Sequence, residues 1–150
     1  MPTFVKTACL FFMADHQFKF PKQERLCSES QITELFTTGD SFMSYPVRVV
    51  WLIGENAENP GMQVVMSVPK KKLKHAVDRN RVKRLLRETY RLNRNFVLEQ
   101  AIGQGLSVRV AFIWIPSEIL EYTRVEKKMK EALVKLEKLI LTRSDNELQV

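Results

Sequence analysis

Residues 70–94 read KKKLKHAVDRNRVKRLLRETYRLNR, and the reading of this stretch decides the fold. It holds eleven of the chain's 24 Lys and Arg residues but only two of its 17 acids, Asp78 and Glu88. The formal net charge of +7 is therefore +9 here set against −2 over the rest of the 150 residues. A charge that serves solubility is spread more evenly. One this concentrated is the footprint of a polyanion binder.

From Ala76 onward the stretch has helical periodicity. Val82, Leu85, Leu86, Thr89, Asn93, Phe96 and Val97 recur on one side, at about 3.6 residues per turn. Lys83, Arg84, Arg87, Arg91 and Arg94 fall opposite, and Arg79, Lys83 and Arg87 form a row along one flank. One side can join a core while the other presents guanidinium forks that match phosphate oxygens. The plainer reading is a solvated face, but such faces usually mix signs.

The rest of the chain narrows the class. A length of 150 residues with 45% hydrophobic content suits one domain with a real core. Cys9, Cys27, His16 and His75 lack metal-ligand spacing, and the thiols read as reduced groups of a cytoplasmic protein. No apolar run reaches the roughly 20 residues of a membrane span. Residues 1–14, MPTFVKTACLFFMA, have the look of a weak secretory signal, but the apolar run is short and Asp15 and His16 follow at once. Residues 1–17 are set outside the fold, either as a disordered extension or because the true start is Met13. Residues 18–142 form the expected domain, and residues 143–150 a flexible tail.

Residues 18–26 (FKFPKQERL) read as extended, since Pro21 disfavours an early helix. Ser28 or Ser30 caps a short helix with Ile32, Leu35 and Phe36 as its apolar stripe, closed by Gly39 as a C-terminal glycine. Residues 42–53 alternate as a first strand, with Val47, Val49, Trp51 and Ile53 on one face. The turn formers of residues 54–61 predict a hairpin into a second strand, 62–68. Residues 107–115 (SVRVAFIWI) make the third. Thr123 with Glu126 reads as a capping box, and Val125, Met129, Ala132, Leu133, Leu136 and Ile140 stripe a final helix. The expected fold is α+β, a single-domain α-β sandwich in the order α-β-β-α-β-α. Each strand has a richly apolar face for the long helices. The lighter face carries Arg48, Gln63, Ser67 and Arg109, and should form an open trough between the first helix and the basic helix.

The chain lacks the tools of a self-sufficient nuclease. Phosphodiester cleavage by metal ions needs clustered carboxylates, and here they are scattered. Asp78 suits a helix N-terminus, Glu88 can pair with Arg84 or Arg91, and His75 stands alone in a lysine run. No P-loop, dinucleotide fingerprint or nucleophile elbow is present. A trough with Phe36, Phe42 and Tyr45 beside a cationic helix suits a single strand of nucleic acid better than a duplex.

Residues 76–91, AVDRNRVKRLLRETYR, closely resemble the signature of the protein subunit of bacterial ribonuclease P, built around Arg79, Asn80 and Arg81. FPKQERL, LFTTG, SVPKKK, the valine-rich strand and the final helix follow the same order, so the resemblance spans about residues 18–142. It implies a sandwich like a domain of a small-subunit ribosomal protein, with a left-handed crossover. It also implies an endoribonuclease that removes the 5′ leader of precursor tRNA, with Mg²⁺-dependent chemistry carried out by the RNA subunit and the metal held mainly by RNA. One protein per ribonuclease P RNA is expected, with precursor tRNA as the other partner, no protein partner required and no membrane. By position, the RNA-binding residues would be Lys70, Lys71, Lys72, Lys74, Arg79, Asn80, Arg81, Lys83, Arg84, Arg87 and Arg91, and the leader-cleft candidates Phe36, Val50, Arg48 and Ser67. No catalytic residue and no metal ligand is assigned to the protein. Pro69, Ile32 and Val50 depart from the family's usual residues, and the last two weaken the expected stacking of leader bases. The alternative is a non-catalytic ribosomal-type or RNA-chaperone protein.

Overall fold

The computed structural model describes residues 24–54 and 60–148. The expectations for residues 1–17, for the extended segment 18–23 with Pro21, and for the loop residues 55–59 lie outside these. The chain order is α1 (Glu29–Thr38), β1 (Asp40–Ser44), β2 (Val47–Gly54), β3 (Gly61–Ser67), α2 (Ala76–Asn93), α3 (Asn95–Gly103), β4 (Ser107–Trp114) and α4 (Tyr122–Leu148). One four-stranded sheet has the order β1-β2-β4-β3. β1/β2 and β2/β4 are antiparallel, and β3/β4 is parallel. The fold is the expected mixed α+β sandwich, and among the described residues it has one strand and one helix more than the alternation suggested.

The extra strand arises at Tyr45–Pro46. Residues 42–53 are not one strand: β1 turns back there and pairs with β2, Phe42 opposite Val49 and Met43 opposite Arg48. Pro46 has no N–H to donate to a ladder and confines its neighbours, so an uninterrupted strand cannot pass through it. The expected hairpin over residues 54–61 is also replaced. β3 does not pair with β2, because β4 lies between them with Val49 opposite Phe112 on one side and Met66 opposite Phe112 on the other. β4 is apolar enough on both faces to occupy that central place, with Val108, Val110, Ala111, Phe112 and Trp114 all buried.

The richer face of the sheet carries the main core. Val47, Val49, Val64, Met66, Val110 and Phe112 pack under α2, α3 and α4, which contribute Val82, Leu86, Tyr90, Val97, Leu133 and Leu136. On the lighter face, α1 covers a second, smaller core of Leu26, Leu35, Val50 and Ala111. The two long helices therefore lie behind the sheet and α1 in front. The basic helix does not flank the trough as expected; it backs the sheet, next to the edge strand β3.

Several local details differ from the sequence pattern. α1 is preceded by Ser28, whose hydroxyl meets that of Ser30 at 3.0 Å and makes no cap bond. Gly39 closes α1 with ordinary φ (−73°), so no left-handed turn requires a glycine there. Space requires it: a Cβ would come within 2.9 Å of the Trp51 carbonyl oxygen and press on the Leu35 carbonyl. α4 starts at Tyr122, one residue ahead of the Thr123 expected to cap it, and runs to Leu148, into the stretch expected as a tail.

The largest correction concerns Arg94. Periodicity put it on the outward basic side, but it is fully buried where α2 breaks into α3. Its Nε donates to Glu24 Oε2 at 2.8 Å and its Nη1 to Asn95 Oδ1 at 3.0 Å. A buried guanidinium needs such partners, and Glu24 supplies the charge from the far end of the described chain. Beside it Leu26 donates its N–H to the Val64 carbonyl at 3.0 Å, so residues 24–26 lie along the open edge of β3. Tyr90, absent from the expected stripe, is wholly buried, 5.8 Å from Phe112 between ring centroids. Burial, reinforced by the nearby Glu24 charge, pushes its phenol well above the ordinary 10.0.

Two outcomes follow from this network. Glu24→Ala leaves a buried cation without its acid and should destabilise the fold by about 3–5 kcal/mol in denaturant titration. Because Tyr90 holds its proton more tightly folded than unfolded, its contribution is complete below the ordinary value and is lost as pH rises past about 10. Tyr90→Phe should therefore reduce the alkaline fall in denaturation midpoint relative to the parent chain; an unchanged fall would assign it to other groups.

Candidate nucleic-acid interface

The basic surface begins where β3 ends. Pro69 stops the strand and its carbonyl accepts from the N–H groups of Lys72 and Leu73, at 3.1 and 3.3 Å, bending residues 69–73 into a tight turn. Leu73 is buried and anchors that turn, which leaves Lys70, Lys71, Lys72 and Lys74 exposed. His75 precedes α2 with extended backbone, and its side chain makes no cap bond. Asp78 sits in the first turn, where its charge favours the helix N-terminus.

The Arg79, Asn80, Arg81 triplet divides its work. Arg79 turns back, its Nη1 donating to the carbonyls of Leu73 and Lys74 at 2.9 and 2.7 Å. It therefore fixes the lysine turn onto the helix. Asn80, Arg81, Arg84 and Arg87 are exposed, and Lys83 is half-buried on the flank. Arg91 is engaged with Glu88 through two bonds, Nη2 to Oε1 at 2.6 Å and Nε to Oε2 at 3.2 Å. The hydrogen bond from Arg91 lowers the Glu88 carboxyl below its usual range. Of the eleven expected RNA-binding residues, eight are exposed and Arg79, Lys83 and Arg91 are half-buried. Arg79 and Arg91 carry intramolecular bonds as well.

A groove of about 700 Å³ opens along the same helix. Arg81, Arg84, Leu85, Ile119 and Tyr122 line it, with Arg25 from the segment beside β3. Sequence reasoning missed Ile119, Tyr122 and Arg25 as members of this surface. No linear signal marks them, because they reach α2 only through packing.

On the opposite side of the sheet, the leader-cleft candidates part company. Phe36 on α1 is 46% exposed and faces solvent. Arg48 is exposed and donates to Ser41 Oγ at 3.2 Å, and Ser67 is half-buried on β3. Val50 is not at the surface: it lies in the small core beneath α1, 6% exposed. Phe42 leaves the trough too. Its pairing with Val49 places it on the helix side, with Lys135 Nζ 4.6 Å from its ring centre. Tyr45 sits at the hairpin turn with Arg124 5.9 Å over its ring. Arg109, not counted among the candidates, crosses the trough to Glu34 at 3.0 Å. Among the described residues the trough thus combines Arg48, Arg109 and Ser67 with half-buried Leu52, Val65 and Ile113, and Phe36 stands exposed at its side.

Among the described residues, no three His, Cys, Asp or Glu side chains come together as a metal site. Among the same residues, no helix is long and apolar enough to cross a membrane. Cys27 is exposed and unbridged.

If the two Arg79 bonds organise the lysine turn, Arg79→Ala should raise amide hydrogen exchange across residues 72–76 while leaving that of β4 unchanged. Equal protection in the variant would show that the turn holds itself.

The comparisons with known proteins agree with one another. The Ribonuclease P family model matches residues 20–137. The ribonuclease P protein component of Porphyromonas gingivalis is 34% identical over 119 residues, covering 79% of this chain and 87% of the relative. That of Dictyoglomus turgidum is 31% identical over 117 residues, 78% of this chain and 88% of the relative. The solved Staphylococcus aureus RNase P protein superposes with a TM-score of 0.56 at 21% identity, covering 78% of this chain and 97% of that one. A mutant of it with defective mRNA degradation activity gives 0.57 at 18%, covering 86% and 96%. The structural likeness supports the fold; the family match and the sequence relatives show that this chain belongs to the ribonuclease P protein family.

Proposed function

We propose that this chain is the protein subunit of a ribonuclease P ribonucleoprotein, which binds the catalytic RNA and the 5′ leader of precursor tRNA and assists endonucleolytic removal of that leader. The observation that carries the reading is the sorting of charge along α2. Val82, Leu86, Thr89 and Tyr90 are buried, while Arg81, Arg84 and Arg87 stand exposed beside four exposed lysines. Such a surface releases counterions from an RNA backbone and binds it in a salt-dependent way.

The division of labour follows from chemistry. In this reading Mg²⁺ would be held by phosphates of the RNA and the substrate and would supply the activation of water. The protein's residues bind and orient. The helix and lysine turn hold the catalytic RNA, one protein per RNA. Phe36, Arg48, Ser67 and Arg109 on the other side of the sheet hold a single strand, with Phe36 as the stacking surface and the arginines on the phosphates. Charges on both sides of the thin sheet let one domain bridge enzyme RNA and substrate.

Leader cleavage of precursor tRNA should be measured at low Mg²⁺ with the protein alone, with ribonuclease P RNA alone, and with both. Stimulation in the mixture is expected. Cleavage by the protein alone would overturn the assignment of chemistry to RNA, and absence of stimulation would leave a general RNA-binding protein. Arg81→Ala should flatten the log–log salt dependence of binding to ribonuclease P RNA by about 0.7–0.9, the share of one phosphate contact. Phe36→Ala should weaken binding of substrate with a leader by about tenfold, the scale of one base–aromatic stack, while sparing leaderless tRNA.

A further inference from the structure

The groove beside α2 contains more than phosphate binding needs. Arg81 and Arg84 are exposed along one side of it. Leu85 and Ile119 are partly buried, packed on the main core, and form its apolar floor. Tyr122, 37% exposed, supplies an aromatic wall from the first turn of α4. Glu88 and Glu121 also line the groove, but the Glu88 carboxylate is committed to Arg91. Burial, together with the charges of Glu126 and Glu88, raises the Tyr122 phenol above its ordinary 10.0. The volume, about 700 Å³, lies within the range of ligand clefts, about 300–1,000 Å³, and the groove is open to solvent along one side.

A continuous RNA duplex has no use for such a place. Its bases are stacked inside and it offers phosphates and ribose hydroxyls, which a row of arginines on an open helix satisfies. An unpaired nucleotide is different. Its base has two apolar faces that stack on aromatic or aliphatic surfaces, polar edges that accept or donate, and a phosphate one bond-chain away. Apolar floor, aromatic wall and guanidinium rim match those three parts in turn.

We propose that this groove holds one unpaired nucleotide of the bound RNA, with the base against Tyr122, Leu85 and Ile119 and the phosphate on Arg81 and Arg84. The inference rests on the reading of α2 as the RNA-binding helix and adds to it a specificity device. Ile119 and Tyr122, outside the basic stretch, make the protein prefer RNA with a bulged or looped nucleotide over unbroken duplex.

The test uses the full chain and three short RNAs of one sequence: a duplex, the duplex with a single bulged 2-aminopurine nucleotide, and the duplex with an abasic bulge. Binding is followed by anisotropy at fixed salt, and the base by 2-aminopurine fluorescence. The base-bearing bulge should bind about tenfold tighter than the other two, as one stack provides, and its fluorescence should be quenched on binding. Tyr122→Ala should remove the preference for the base-bearing bulge over the other two RNAs and the quenching; Tyr122→Phe should keep both. Equal binding of the three RNAs with unchanged fluorescence would overturn the proposal, and so would an abasic bulge that binds as tightly as the base-bearing one, since the protein would then recognise a kink. Failure of all three RNAs to bind would instead overturn the RNA-binding reading of α2 on which it rests.

Discussion

The parallel pairing of β3 with β4 is the constraint on which the rest of the structure depends. Two adjacent parallel strands cannot be joined by a tight turn; the chain must cross back over the sheet through a dozen residues or more. Here that crossover is the lysine turn, α2 and α3. The basic helix is therefore a structural necessity of the sheet before it is a binding surface. Its inward side must be apolar enough to cover the strands, through Val82, Leu86 and Tyr90. Its outward side is left to solvent, and that is where the arginines stand.

The same constraint explains why the helix is well fixed. A free helix of this length with so many like charges would be marginal. Tertiary packing holds it from below. Arg94 and Glu24 hold its C-terminal end, and Arg79 ties its first turn to the lysine loop. Two of the arginines in the basic stretch thus serve to position the others. The helix backbone that carries the outward arginines is thereby fixed, and the freedom left is that of their side chains.

The sheet also keeps two surfaces apart. α2, α3 and α4 pack the main core against one face, while α1 packs the smaller core of Leu26, Leu35, Val50 and Ala111 against the other. The uncovered part of that face carries Arg48, Arg109 and Ser67, with Phe36 at its side. Arg109 reaches Glu34 across it, an exposed ion pair beside the apolar contacts by which Leu35 holds α1 to Val50 and Ala111. The charged side of α2 and the side chains of Arg48 and Arg109 therefore lie on opposite sides of the sheet.

Sequence by itself determined the α+β class, the two-faced strands, the lysine run before the basic helix and the outward Arg84 and Arg87. These depend on local periodicity and on the sign of charge, which are written residue by residue. It also carried the family signature around Arg79, Asn80 and Arg81. Tertiary structure alone decided the strand order, since alternation says which face a residue takes but not which strand lies beside it. It decided that Arg94 goes inward, because only the fold brings Glu24 to meet it across 70 positions of sequence. It decided that Val50 and Phe42 are packed and Phe36 is not, and it assembled Tyr122 and Ile119 beside Arg81. Each of these rests on pairing or packing between distant segments, and such contacts leave no period in the chain.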